Sequence, residues 1–455
     1  MEFFGAPKAY CTIAVVVLNC FKVLLCLLAN FANFRKITPT PEMGFELLFY
    51  FAFFDDGDNK LSAEDKRRRD RRTPRIAIRY YRESSFYYLF KSGNDQALLN
   101  CCAVDHTAFR KLLEIFQPVY DRHTIDERTN RIRKRCFTRA GVPKGRKRHI
   151  DATGCLGLVL YWFRTQGSVA RATVMAFGLT ATPTYKWLKF GRRILLFVLH
   201  KHPLAMVREP TKEELKEYCD AIATKYPILR REKVWGASDG LKLSLQQSSD
   251  FFIQNRYYNG WTGGTYVNSV FTFAPDGAIR QAILNAPGTF HDSTIADYGI
   301  YKKMRSLYDE YDVKVVVDSA FMSKQDYLIE SSQKDPMTKG AHGVHLNRAA
   351  TSVRQLSEWG MRMIQGQFPR LKDPLQFEEF GERRIIVNLM VVLYNYQTST
   401  VGINEILSSF MSKTKGFRSY SLRNRKYSYS TKDTDCYCYS NRRVHKINET
   451  AHGLF

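Results

Sequence analysis

The run VKVVVDSAF, residues 313–321, sets four valines around one lysine and then turns to aspartate. An apolar, β-branched run of this length predicts a strand buried on both faces, in the middle of a sheet. Asp318 ends the run, so its carboxylate emerges at the carboxyl edge of that sheet. Upstream, VWGASDGLKLSL (234–245) alternates apolar and polar residues and predicts another strand, with Asp239 inside it. YVNSVFTFAPDG (266–277) and AIRQAILNAPG (278–288) are two more strand-like runs. Pro275-Asp276-Gly277 between them is a strong hairpin-turn signal. Asp292-Ser293 start a helix in this reading, with Asp292 as its cap. Downstream, helical spacing predicts a helix over Val353 to Gln367, followed by an apolar segment at 383–397. A three-strand meander, a helix, a fourth strand and further helices is the order of a ribonuclease-H-like fold. The expected class is therefore α/β, a mixed sheet flanked by helices.

The chain ahead of the sheet reads as all-helical. HTAFRKLLEIFQPVYDR (106–122) has apolar residues at helical spacing. Asp151 is placed to cap a helix that includes 154–166 and ends at Gly167. Ser168 caps a short helix closed by Gly178, and Thr182-Pro183 read as cap and first residue of a third. Three helices with a tight glycine turn before the last match a helix-turn-helix. On the third, Tyr185, Lys186, Lys189, Arg192 and Arg193 suit phosphates and base edges.

Lys and Arg number 69 against 44 acidic residues, a net charge of +25, which favours a polyanionic partner. Apolar residues make up 44% and aromatics 14%, which excludes a disordered composition. Ten cysteines are scattered without zinc-ribbon spacing or disulfide-scaffold density, so reduced thiols fit best. Cys436, Cys438 and His445 lack an evident fourth metal ligand. Residues 10–34 are almost wholly apolar, long enough to span a bilayer but broken by Lys22, which is costly there. Signal sequence, anchor, buried helix and mistaken gene start stay open for that segment. The basic run at 66–82 suits nuclear import or phosphate contact, or plain solvation, and a second at 128–148, with Gly and Pro interleaved, reads as a mobile basic linker. Thr414 to Lys446 mixes basic residues and tyrosines, suited to tracking a nucleic-acid backbone and stacking bases, and reads more simply as a solvated tail.

Asp239, Asp318 and Glu358 stand out by position. Carboxylates are costly to desolvate unless paired with cations, and three converging on one sheet edge repel each other. A divalent metal relieves that repulsion. Hard oxygen donors suit Mg²⁺ or Mn²⁺, whose natural co-ligands are phosphate oxygens. Two such ions roughly 4 Å apart serve in-line phosphodiester cleavage.

SDG (238–240), NAPGTFHDSTI (285–295), VVVDSAF (315–321), RQLSEWGMRMIQGQFPRL (354–371) and LYNYQTSTVGINEI (393–406) together resemble the Harbinger-type transposase-derived nucleases of the DDE superfamily. The likeness covers roughly residues 150–410. It implies that Asp239 and Asp318 are the two strand aspartates and Glu358 the helix glutamate of the catalytic triad. It also implies Asp292 as a fourth acidic position and metal ligand, with helix cap as the competing reading. His291 is either a phosphate or proton-transfer group or, more simply, structural. Arg354 and Arg362 lie four residues either side of Glu358, to hold that carboxylate or grip DNA. Family members often carry Gly-Tyr after the second aspartate where this chain has Ser-Ala-Phe, which leaves the ligand intact. The resemblance further implies a nuclear protein that acts on DNA, a separate Myb-like DNA-binding partner and strand transfer, and it leaves a homo-oligomer open.

The expected organisation is an apolar segment at 1–60, a basic segment at 61–105 and a helical DNA-binding region at 106–205. A connector at 206–232, the endonuclease domain at 233–412 and a basic tail at 413–455 complete it. Two rival readings are a domesticated derivative that binds DNA or protein without cutting, and a membrane-anchored protein.

Overall fold

The computed structural model describes residues 81–126, 132–139, 141–144, 148–167, 169–321, 325–331, 340–376 and 380–411. The apolar segment at 10–34, most of the first basic run, part of the second and the C-terminal tail lie outside them. Among the described residues no helix is long and apolar enough to cross a membrane.

The chain begins with α1 (Ser85–Ser92), α2 (Asp95–Cys102) and α3 (His106–Arg122), then the small ribbon β1 (His123–Ile125) and β2 (Ile132–Lys134). Next come α4 (Ala152–Arg164), α5 (Val169–Phe177) and α6 (Ala181–Leu199). Each start has a local cause. Ser84, Asn94, Asp105 and Asp151 all occupy N-cap positions and accept from backbone N–H groups of the first turn. α4 stops at Arg164, two residues short of the expected end. α6 starts at Ala181 with Thr180 at its N-cap, rather than at the Thr182-Pro183 pair.

The stretch read as a connector contains α7 (Lys212–Lys225), opened by a capping box in which Thr211 and Glu214 satisfy each other's backbone. Then follow β3 (Val234–Ser244), α8 (Phe251–Tyr257), β4 (Tyr258–Asn259), β5 (Gly264–Phe273) and β6 (Ile279–Pro287). α9 (Asp292–Asp297) and α10 (Ile300–Tyr311) lead to β7 (Lys314–Val317) and β8 (Leu328–Glu330). α11 (Gly340–Gln367), α12 (Phe380–Thr400) and α13 (Glu405–Phe410) close the fold.

The sheet runs β6-β5-β3-β7-β8, with β4 added at the start of β5. β3, β5 and β6 form the antiparallel meander, and β7 and β8 continue it in parallel with β3. This mixed sheet, flanked by helices, fits the ribonuclease-H-like topology. The valine run is the strand beside β3, with Val315, Val316 and Val317 all buried.

Two cores cover the two faces. One holds Ala237, Leu241, Phe273 and Val316 together with α11, α12 and the buried faces of the N-terminal helices. The other holds Val270, Val315 and Val317 under α7, α9 and α10. The N-terminal helices share a core with the sheet, and all described residues fall in one compact unit. Burying two faces of a short four-residue β7 explains why its sequence is continuous valine rather than alternating.

Candidate active site

Alternation along β3 and β7 decides where the aspartates point. Ala237 pairs in register with Val316, and both belong to the core beneath α11. Ser238 pairs with Val317. The next positions are Asp239, still within β3, and Asp318, one residue past the end of β7, and continuing the alternation puts both on the side of Ala237 and Val316. β7 ends at Val317, so Asp318 sits at the rim, its Oδ1 accepting from Ser319 N at 2.8 Å. Asp239 Oδ1 accepts from Gly240 N at 2.7 Å.

α11 brings the third acid to that face. The helix buries Ala349, Ala350, Val353, Leu356, Ser357, Gly360 and Ile364, a stripe at three- and four-residue spacing. Gly360 lies so close to the Phe273 ring that a Cβ there would clash. This close approach is what seats the Glu358 turn against the sheet. Glu358 Oε1 accepts from Arg354 Nη2 at 2.6 Å, and Arg354 Nη1 stands 3.9 Å from Asp239 Oδ2. One guanidinium thus bridges the helix acid and the strand acid. The expected i,i+4 pairing of Arg354 is present, while Arg362 is exposed further along the helix.

Asp292 reaches the same edge from the opposite face. It is the first residue of α9, and the N-cap is His291, which makes no side-chain capping bond. The cap reading of Asp292 is therefore corrected. Its carboxylate instead lies flat against Gly240, where any Cβ would collide with it. The glycine of the Ser-Asp-Gly run is required by that contact, a role sequence reasoning missed although the residue was in plain view. Lys242, exposed on β3, was missed too. Its charge acts on Asp292 in the favourable direction.

Burial pushes the Asp239 carboxyl up to about 6, its own backbone hydrogen bond opposes this, and the charges of Asp292 and Asp318 push it further up. Burial likewise raises Asp292, against Lys242 and with Asp318 adding to the rise. The carboxylates are thus close enough to feel one another. Among the described residues, however, no three His, Cys, Asp or Glu side chains are gathered tightly enough to hold a metal ion. Glu358 is turned to Arg354 instead. As a donor set, the group fits a hard divalent cation. It is oxygen-only, half-buried and mutually repelling, the kind of cluster an ion relieves.

Residues 238–395 match the family described as DDE superfamily endonuclease. This stretch is a DDE-superfamily domain, of the transposase-derived nuclease kind. The matched span opens one residue before Asp239 and encloses Asp292, Asp318 and Glu358. No curated protein and no solved structure matches the chain.

The cations assigned to DNA ahead of the DDE-superfamily domain are divided by the fold. Arg192 is only 7% exposed, stacks over Trp162 at 4.8 Å and stands 3.6 Å from Glu382 of α12. Arg193 pairs with the same carboxylate. Both side chains serve the contact between α6 and α12, so the expectation that they face DNA is corrected. Lys186 is exposed beside Tyr185, and Lys189 is half-buried.

Proposed function

We propose that the chain is a metal-dependent DNA endonuclease of the Harbinger transposase type, with Asp239, Asp318 and Glu358 as its acidic triad. The observation that carries this is the β3–β7 register, which sets Asp239 beside Asp318 on the face α11 covers. Asp239, Asp318 and Glu358, with Asp292 as a fourth donor, would hold Mg²⁺ or Mn²⁺. Bound there, the cation supplies Lewis-acid stabilisation of a phosphodiester and an activated water. The chain's own residues do the rest. Arg354 offsets the acids' repulsion and offers a fork of donors to a phosphate oxygen. The apolar packing beneath Asp239 keeps bulk water off one side of the site. Hydrolysis frees a 3′-hydroxyl.

DNA is the substrate, attracted by the net charge of +25. Lys186 and Lys189 on α6 contact the phosphate backbone in this reading, with the three helices α4 to α6 as a helix-turn-helix. A Myb-like protein that recognises element ends, a homo-oligomeric assembly and a nuclear location complete the proposal.

One observation favours a second reading, a derivative that binds without cutting: Glu358 is committed to Arg354. Nicking of plasmid DNA by the full chain in Mg²⁺ or Mn²⁺, beside Asp318→Asn, separates the two. The expected result is metal-dependent nicking that the variant loses while it still binds DNA. Undiminished nicking by the variant, or nicking in excess chelator, refutes the triad.

A further inference from the structure

We propose that the segment between β3 and β5 is a base-stacking platform, on which Trp261 and the Phe251–Phe252 pair take the face of an unpaired nucleobase of DNA held at the acidic site. The proposal rests on the DNA-endonuclease reading and names how that site engages its substrate.

Three large rings are given up to solvent within eleven residues. Trp261 is 95% exposed, Phe252 80% and Phe251 70%. Phe251 and Phe252 lie edge to face with ring centroids 5.9 Å apart, and exposed aromatic surface of this kind suits a contact site. The rings are not on a loose loop. Asp250 caps α8, accepting from Ile253 N at 3.0 Å. Gln254 accepts from Ser248 N at 2.8 Å and donates to Thr265 Oγ1 at 2.7 Å, tying α8 to β5. Asn259 Oδ1 accepts from Trp261 N and Thr262 N, both at 3.1 Å, which fixes the turn under the indole. With the backbone beneath them fixed in advance, only the rings' own side-chain freedom is lost on stacking.

The same segment is bonded to the loop that carries Asp292. Asn259 Nδ2 donates to Gly288 O at 2.8 Å, and Thr289 Oγ1 donates to Arg256 O at 3.1 Å. Asn268 Nδ2 donates to Phe290 O at 3.0 Å, two residues before Asp292. Gly288 itself meets the carbonyls of Tyr257 and Tyr266 so closely that no side chain fits. Rings and acid therefore hang on one hydrogen-bonded set of loops.

Register gives the reach. β7 stops at Val317, while β3 continues to Ser244, still paired with Tyr266 of β5. From Asp239 to Ser244 the strand advances roughly 17 Å, about five base-pair steps of duplex. The platform leaves the sheet beyond that point, past the exposed Lys242. Beside a phosphodiester-cutting edge in a basic chain, the apolar ligand with a flat face is a nucleobase, and only an unpaired base offers that face.

The test uses the full chain in chelator and reads fluorescence anisotropy. The probes are a labelled duplex and the same duplex ending in three unpaired bases. Wild type is expected to prefer the unpaired end. Trp261→Ala is expected to weaken that probe by roughly 5- to 150-fold per stacked base and to change duplex binding little. Trp261→Phe, which keeps a ring face, should retain most of the preference. The indole is almost wholly in solvent, so the melting temperature should not move. Equal affinity of wild type and Trp261→Ala for the unpaired probe overturns the proposal. So does an altered mass in light scattering with DNA affinity intact, which would assign the rings to a protein contact. Trp261-dependent binding without any nicking in Mg²⁺ would sink only the endonuclease reading. Asp318-dependent nicking with Trp261-independent binding would sink only the platform.

Discussion

Asp239→Asn should stabilise the metal-free protein while destroying its response to metal. The Asp239 side chain is 14% exposed, and burial with the Asp292 and Asp318 charges lifts its carboxyl from 3.8 to about 6. A carboxyl raised on folding costs stability once it is ionised. The cost is absent below the unfolded value, grows as pH rises between 3.8 and about 6, and is complete above that. The shift converts to about 3 kcal/mol at pH 7.5, an upper bound. Asparagine keeps the oxygen that accepts from Gly240 N and removes the charge. It forfeits the 3.9 Å approach of Arg354 and still has an amide to satisfy. A net gain of roughly 1–2 kcal/mol is left. Urea unfolding in chelator at pH 7.5 should show this gain, and the gap should close as pH falls toward 4. With Mg²⁺ at a hundred times its dissociation constant, wild type should gain about 2.7 kcal/mol and the variant much less. A variant less stable than wild type in chelator at pH 7.5, or a gap that ignores pH, would refute the reading of Asp239 as a strained member of an acidic cluster.

Gly240→Ala should cost about 1–3 kcal/mol, because the new methyl collides with the Asp292 carboxylate, and should weaken metal-induced stabilisation in a thermal melt. Arg354→Ala should lower stability in chelator by about 1–3 kcal/mol by leaving Glu358 and Asp239 without their shared cation. Added Mg²⁺ should recover most of that loss in the same urea titration. Glu382→Ala should cost about 3–5 kcal/mol, since it removes the carboxylate that Arg192 and Arg193 share in a buried contact. A soluble Glu382→Ala protein with unchanged unfolding would show that α6 does not depend on this pair.

Much of the fold was legible because its signals are local. Valines at 315–317 announce a two-faced strand, Asp276-Gly277 a hairpin, and Asp105 and Asp151 helix starts, each within a few residues. The acids at 239 and 318 were legible as misfits, charges where a buried strand wants apolar groups. What failed to show were partners distant in sequence. Arg192 and Arg193 look like DNA contacts on a basic helix, and only Glu382, almost two hundred residues on, turns them inward. Asp292 looks like a helix cap until Gly240 of β3 is found beneath it. The 206–232 stretch looks like a connector because the packing that makes α7 structural comes from the sheet.

Periodicity, turn chemistry and charge excess are written along the chain, and they alone pointed to a mixed α/β protein with acids on its strands and a charge excess suited to a polyanion. The parallel pairing of Ser238 with Val317 is what brings Asp239 near Asp318, and the close seat of Gly360 on Phe273 is what brings the turn of Glu358 to the sheet. Strand register and helix approach are chosen by the total burial of surfaces brought together from distant segments, and no window of residues contains that sum.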